Sequence, residues 1–438
     1  MIPTVRKSAV FGLLAGALLI SSSAWAEPKI TVYDHANDPI LKLKTIAWEG
    51  GKTVSMTVGI GSGAYRHPKD PGNVVYTVSD RGPNFTCGAA AKITGIDGKR
   101  ICKGAKARIY PVPSYTPSIY GLKLNDDNTF SVFEVIALKD RDGTPINGLL
   151  NPLTVAKTEI PVDGVGNELK QDASAVDAEG LIKLSDGTWW IGEENGPSIL
   201  HVAANGRILK RYVPEGSEKD FANANYDVVG ALPAILVKRQ TNRGIESMAV
   251  SEDEKTLYFM VQNPLANPNA GAYKKAKNTR FFAFDRTTER VTGEYVYTLD
   301  DPQTFRNDPS DKQNAPRISE VLGLGGERFL VLERTNKTTK LHEISLEGAT
   351  NILGSRWDDL NTAPSLEQTS VADAGINPVS KTLRFDSADF PDVPVKMEGL
   401  AILGDGSLFT INDDDFGITG GRSRVVVVHD SGVKAHMN

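Results

Sequence analysis

An all-β protein, specifically a β-propeller, is predicted by three features of this 438-residue sequence. Hairpin-like segments with matching polar ends recur along it. Each is followed by a second pair of strand-like runs. Helical periodicity is weak throughout, while Pro and Gly punctuation is dense.

The clearest hairpin is residues 177–197, DAEGLIKLSDGTWWIGEENGP. Two apolar runs flank a Ser185-Asp186-Gly187 turn, with Glu179 seven residues before Asp186 and Glu193 seven after. Antiparallel pairing then sets these carboxylates side by side at the open end, which destabilises a sheet unless a cation or base compensates. MEGLAILGDGSLFTINDDD (397–415) repeats the spacing with Glu398, Asp405 and Asn412. GIESMAVSEDEKTLYFMVQN (244–263) runs from Glu246 to Gln262 and Asn263, and SEVLGLGGERFLVLER (319–334) from Glu320 to Glu333. The first in order, residues 61–84, ends on Asp80-Arg81, with Ser62 in place of the leading Glu.

Second strand pairs are expected at Ile119–Leu124 with Thr129–Ala137, and at Ile199–Ala203 with Arg207–Val213. Phe281–Asp285 with Arg290–Leu299, and Lys340–Ser345 with Thr350–Leu353, continue the series. Five repeat modules are thus visible, giving five or six blades. A polar insertion at about 140–175 is either an extended loop or a degenerate sixth blade. Ile30–Tyr33 beside Val425–Val428 would close the ring, because a propeller must seal its open edge. Residues 27–438 read as one such domain, a two-domain sandwich being the alternative. Trp189-Trp190, Tyr258-Phe259 and Phe281-Phe282 fall inside strands and read as packing between blades.

Residues 1–26 are read as a secretory signal peptide: Arg6 and Lys7, an apolar stretch from Ala9 to Ile20, then Ala24-Trp25-Ala26. No later run reaches the ~18 apolar residues of a membrane span. An exported chain, periplasmic or secreted, is expected. Removing Arg6 and Lys7 leaves 47 Lys+Arg against 54 Asp+Glu, a formal charge of −7. That balance offers no broad attraction to nucleic acid. The only cysteines, Cys87 and Cys102, are expected to form one disulfide in an oxidising compartment, with a loop worth ~3 kcal/mol in the chain-entropy model.

In a propeller the start of each first strand and the end of its partner emerge on one face. Asp80, Glu179, Glu193, Glu194, Glu246, Glu320, Glu333, Glu398, Asp413 and Asp414 should therefore gather at one mouth. Asn195, Asn263 and Asn412 join them, with Arg81, Arg243 and Arg334 as the basic members. Hard oxygen ligands in His-poor, thiolate-free surroundings suit Ca²⁺ or Mg²⁺. No G-x-S-x-G elbow, Walker loop or zincin pair is present, and Asn412-Asp413-Asp414-Asp415-Phe416-Gly417 breaks the EF-hand pattern at Phe416.

SDRGPN (79–84), DAEGLIKLSDGTWWIGEENGP, NRGIESMAVS (242–251) and MEGLAILGDGSLFTINDDD resemble the phytase-like, "esterase-like activity of phytase", family of secreted bacterial proteins over roughly residues 45–430. The resemblance implies a propeller-type fold and hydrolysis of phosphoesters or other esters. The expected activity is an exported, metal-assisted hydrolase acting on a small anionic phosphate ester. Glu179, Glu193, Glu246, Glu398 and Asp413 would hold Ca²⁺ or Mg²⁺, and Arg81, Arg243, Arg334, Asn195 and Asn263 would bind substrate. Glu194 or Asp80 would take a proton from water. A calcium-dependent lactonase or carboxylesterase, and a non-catalytic envelope propeller that binds a ligand or protein, are the alternatives.

Overall fold

The computed structural model describes Met1 and residues 27–35, 39–103 and 107–435. The signal peptide read over 1–26 lies, Met1 apart, outside the described residues. Five four-stranded units follow one another. The first comprises Gly63–Tyr65, Val74–Val78, Ser118–Leu124 and Thr129–Ala137. The second comprises Ala178–Lys183, Trp189–Glu193, Ser198–Val202 and Ile208–Pro214, with Asp227–Leu232 added in parallel. The third is Ile245–Val250, Thr256–Val261, Asn278–Asp285 and Arg290–Thr298. The fourth is Arg317–Gly325, Arg328–Arg334, Thr339–Ser345 and Ser380–Asp386. In the fifth, Met397–Ile402, Leu408–Asn412 and Arg424–His429 are completed by the N-terminal strand Lys29–His35, with Ile30 opposite Val428 and Tyr33 opposite Val425.

The fourth unit corrects one expectation. Thr350–Leu353 is not a strand; Ser380–Asp386 pairs with Thr339–Ser345 instead. The intervening residues leave the sheet because they bury an apolar set of their own, Ile352, Trp357, Leu366 and Ile376, against Val296. The 140–175 insertion contributes a single strand, Ile160–Val162, which pairs in parallel with Ala107–Ile109. Cys87 and Cys102 are joined, pinning two short helices nearby.

Alternation along each strand sends apolar side chains to both faces, so each sheet packs against two neighbours. Trp189 turns to Tyr76 of the first unit at 4.9 Å, whereas Trp190 turns to Phe284 of the third at 6.1 Å. One core lies between the first and second units around Val78, Leu181 and Ile191, and another between the second and third around Ile182, Met248 and Phe259. Further cores join third to fourth (Met260, Val321), fourth to fifth (Leu332, Leu400) and fifth to first (Ala401, Ala64).

The first strands of the units approach one another closely. Ala64 N and Met248 N both donate to the buried Glu320 carboxylate, at 3.2 and 3.3 Å, and Gly399 N donates to Gly61 O at 3.2 Å. Gly63 is required by this crowding, since a Cβ there would stand 2.1 Å from Glu179 O. Gly63→Ala is expected to cost about 1–3 kcal/mol through overpacking. It should also displace the Glu179 backbone, and urea denaturation would read the loss of stability.

Candidate functional site

A β-bulge decides which polar residues meet. In the second unit Ala178 faces Glu193 and Leu181 faces Ile191, so Glu179 and Gly180 together oppose Gly192. The third and fifth units carry the same irregularity, at Glu246 and Glu398. Each extra residue puts its side chain toward the open end instead of into the ladder. The residue that follows the second strand meets it there: Glu194 in the second unit, Gln262 in the third, Asp413 in the fifth.

These positions converge on one cavity of about 450 Å³. Its walls include Ser62, Asp80, Glu179, Glu194, Glu246, Gln262, Glu398 and Asp413, with Arg81, Arg108, Arg243, Arg317, Arg334 and Lys396. Oxygens of Glu179, Glu194 and Glu246 lie within 4.8 Å of one another, and so do those of Asp80, Asp177 and Glu179. Glu179 belongs to both groups.

Burial, then the Glu246, Glu194 and Asp177 charges, pushes the Glu179 carboxyl well above its ordinary range. Glu246 is pushed up in the same way, by burial and then by Glu194. Glu194 stays on the low side: burial opposes it, but a hydrogen bond shared with Glu246 and the charges of Arg243 and Arg81 prevail. Asp80 is raised to about 7 by burial and by Asp413. Glu246 Oε1 and Gln262 Oε1 are buried acceptors with no hydrogen-bond partner.

Several expected ligands have partners of their own. Glu193 is fully buried away from the cavity, its Oε2 2.8 Å from Arg211 Nη2. The expected pairing of Glu179 with Glu193 fails because the bulge shifts the register by one residue, which exchanges faces. Glu398 is ion-paired with Arg334. Asp413 holds Lys396 Nζ at 2.7 Å, and Asp415 holds the same ammonium at 2.6 Å. Both acids still line the cavity.

Asn195 and Asn263 are buried and do not line it. Asn263 Nδ2 donates to Pro316 O at 2.7 Å. In the fourth unit the extra residue is Ser319, so Glu320, one place on, turns inward to the three backbone donors Ala64, Met248 and Val321. Glu333 sits in a separate group with Asp300 and His342, where Lys381 Nζ at 2.6 Å compensates it.

Of the bases, Arg81 is committed to Asp177 at 3.0 Å and lies 3.6 Å from Glu159 of the insertion. Arg243 stands 3.6 Å from Glu194. The acid-centred reading missed Arg108, Arg317 and Lys396. Two of them, with Asp177, occupy one repeated place: Asp177, Arg317 and Lys396 each stand two residues before the bulge residue of their unit, Glu179, Ser319 and Glu398. Burial first, then Arg243, pulls Arg317 down to about 10, and burial with Arg317 pulls Arg334 down to about 9.

Fold and site together define a mostly-β repeat protein with a strongly ionic cavity. The chain belongs to the phytase-like family described as "esterase-like activity of phytase", whose sequence pattern matches residues 57–416. It is 26% identical over 294 residues to an uncharacterized secreted protein of Arthroderma benhamiae. That match covers 58% of this chain, and the chain spans 57% of the relative's length.

Among solved structures it is similar to a luciferin-regenerating enzyme (11% identity, 87% of this chain and 94% of that one, TM-score 0.34). It is also similar to the RRP9 WD40 repeats (11% identity, 85% and 94%, TM-score 0.35). Among the described residues no helix is long and apolar enough to cross a membrane.

Proposed function

We propose that this protein is an exported, metal-assisted hydrolase of phosphate esters, built on a five-bladed propeller closed by its N-terminal strand. The ring is supported by the apolar cores between consecutive units, the fifth and first included. The single observation carrying the chemistry is the carboxylate trio Glu179, Glu194 and Glu246 beside two buried acceptors, Glu246 Oε1 and Gln262 Oε1, that have no donor. Like charges packed so closely, with orphaned oxygens, fit a hard divalent cation.

Glu179, Glu194, Glu246 and the Gln262 amide oxygen would hold it, calcium or magnesium being the matching chemistry. Such a cation, when bound, polarises a phosphoryl oxygen and lowers the pKa of water. Arg243 and Arg334, on the cavity wall, compensate charge on the phosphoryl group and orient it. Asp80, on the same wall, would accept the proton of the attacking water. Glu398 and Asp413 serve as counter-ions that hold Arg334 and Lys396 in position, in place of the ligand roles read from their spacing.

The test is turnover of a phosphate monoester, a lactone and a simple acyl ester by purified protein, after exhaustive chelation and after calcium readdition. Phosphate release should fall at least about 100-fold on chelation and return with calcium, with the monoester preferred. Undiminished hydrolysis after chelation would remove the metal assignment. A preference for the lactone or acyl ester would favour a carboxylic-ester activity instead.

A further inference from the structure

Arg317 is the unmatched charge of the cavity. At the open end of the fourth unit's hairpin it faces Arg334 directly across the antiparallel ladder. Like charges at directly opposed positions destabilise a strand pair. Arg334 is neutralised by Glu398 and steadied by Ser319 Oγ, 2.9 Å from its Nε.

No carboxylate of the described residues comes within ion-pair distance of Arg317. Its guanidinium donates to the neutral Asn336 Oδ1, and its Nε is buried with no partner. Every other base on the wall has an acid: Arg81 has Asp177, Arg108 has Glu159, Arg243 has Glu194 and Lys396 has Asp413. A cation held opposite another cation on the wall of a polar cavity, with one donor unused, is a binding surface for an anion.

We propose that Arg317, with Arg334 and Arg243 beside it, forms a metal-independent oxyanion subsite that grips the non-bridging oxygens of the phosphoryl group and selects anionic over neutral esters. The proposal rests on the phosphoester reading above for its substrate, but its binding step does not require the carboxylate trio or a cation. A guanidinium presents paired N–H donors that match two phosphoryl oxygens, whereas an ammonium offers a point charge. Arg317 therefore acts by geometry as well as by charge. No covalent step is assigned to it.

The experiment is calorimetric titration of inorganic orthophosphate into the full chain held in chelator, with the Arg317→Ala and Arg317→Lys variants in parallel. Wild-type protein should bind one phosphate. Arg317→Ala should weaken that affinity at least about 10-fold, with Arg317→Lys recovering only part. Calcium affinity, measured separately without phosphate, should change less than about 2-fold in either variant.

Where the enzyme turns over, Arg317→Ala should raise KM for a phosphate monoester by a larger factor than for a neutral acyl ester. Arg317→Ala removes a like-charge contact, so its thermal midpoint should match or exceed that of wild type, which separates lost binding from lost folding. Failure of the metal-stripped wild type to bind millimolar phosphate overturns the proposal, as does equal affinity in Arg317→Ala. Loss of calcium-dependent hydrolysis with phosphate binding retained would defeat the metal reading and leave this one standing.

Discussion

Replacing Glu179 with glutamine is expected to lower kcat/KM on a phosphate monoester at least about 10³-fold while leaving the metal-free fold as stable as before, or more so. Glu179 is shared by both carboxylate groups on the cavity wall, so one neutral substitution thins each of them. The change keeps the side chain's shape. A 10³-fold loss corresponds to about 4 kcal/mol of transition-state stabilisation, within reach of a lost metal ligand.

Stability should move the other way in chelator, because burial and four neighbouring acids already disfavour charge on Glu179. A ligand at 100 times its Kd stabilises the folded state by about 2.7 kcal/mol. That calcium-dependent increment should be present in wild type and largely absent from Glu179→Gln. Thermal unfolding with and without calcium, together with turnover, reads both halves. Wild-type activity in the variant, or an undiminished calcium increment, would refute the assignment of Glu179 to the cation.

The repeat was legible because spacing survives in sequence: an acid before an apolar run, a turn with Asp and Gly, and polar groups at the far end. That pattern located the hairpins and brought Asp80, Glu179, Glu194, Glu246, Glu398 and Asp413 to a common wall with Arg243 and Arg334. It failed by single residues. A bulge adds one position to one strand, and a shift of one exchanges the two faces of a β-strand.

Glu194 and Gln262 therefore stand where Glu193 and Asn263 were expected, and Ser319 takes the place of Glu320. Residues 350–353 failed for a different reason. Their apolar content suits a strand and an irregular core equally, and only the packing of Trp357 and Leu366 against Val296 decides. Arg317 and Lys396 were overlooked because attention to acids treats a flanking base as solvent-facing, the usual place for such residues.

Arg211→Met is expected to destabilise the protein by about 3–5 kcal/mol, the cost of stranding a buried carboxylate, without abolishing its response to calcium. Arg211 and Glu193 are both fully buried, with Nη2 and Oε2 2.8 Å apart. The guanidinium also donates to Ser198 Oγ, Ala175 O, Tyr226 Oη, Asn151 Oδ1 and Gly196 O. It thereby ties the 140–175 insertion and the 194–197 turn to the second unit. Glu193 in turn accepts from Asp177 N at 3.1 Å and Gly196 N at 2.6 Å. Its work is to fix the backbone on either side of the cavity acids.

The double variant Arg211→Met/Glu193→Gln should be milder than the sum of the two single ones, since it leaves no unpaired charge. Urea denaturation of the four proteins measures that coupling, with an unchanged m-value marking a common unfolded state. An Arg211→Met midpoint equivalent to less than about 1 kcal/mol of loss would mean that Glu193 is not held by this pair. Loss of calcium binding in a folded Glu193→Gln variant would return it to the cation.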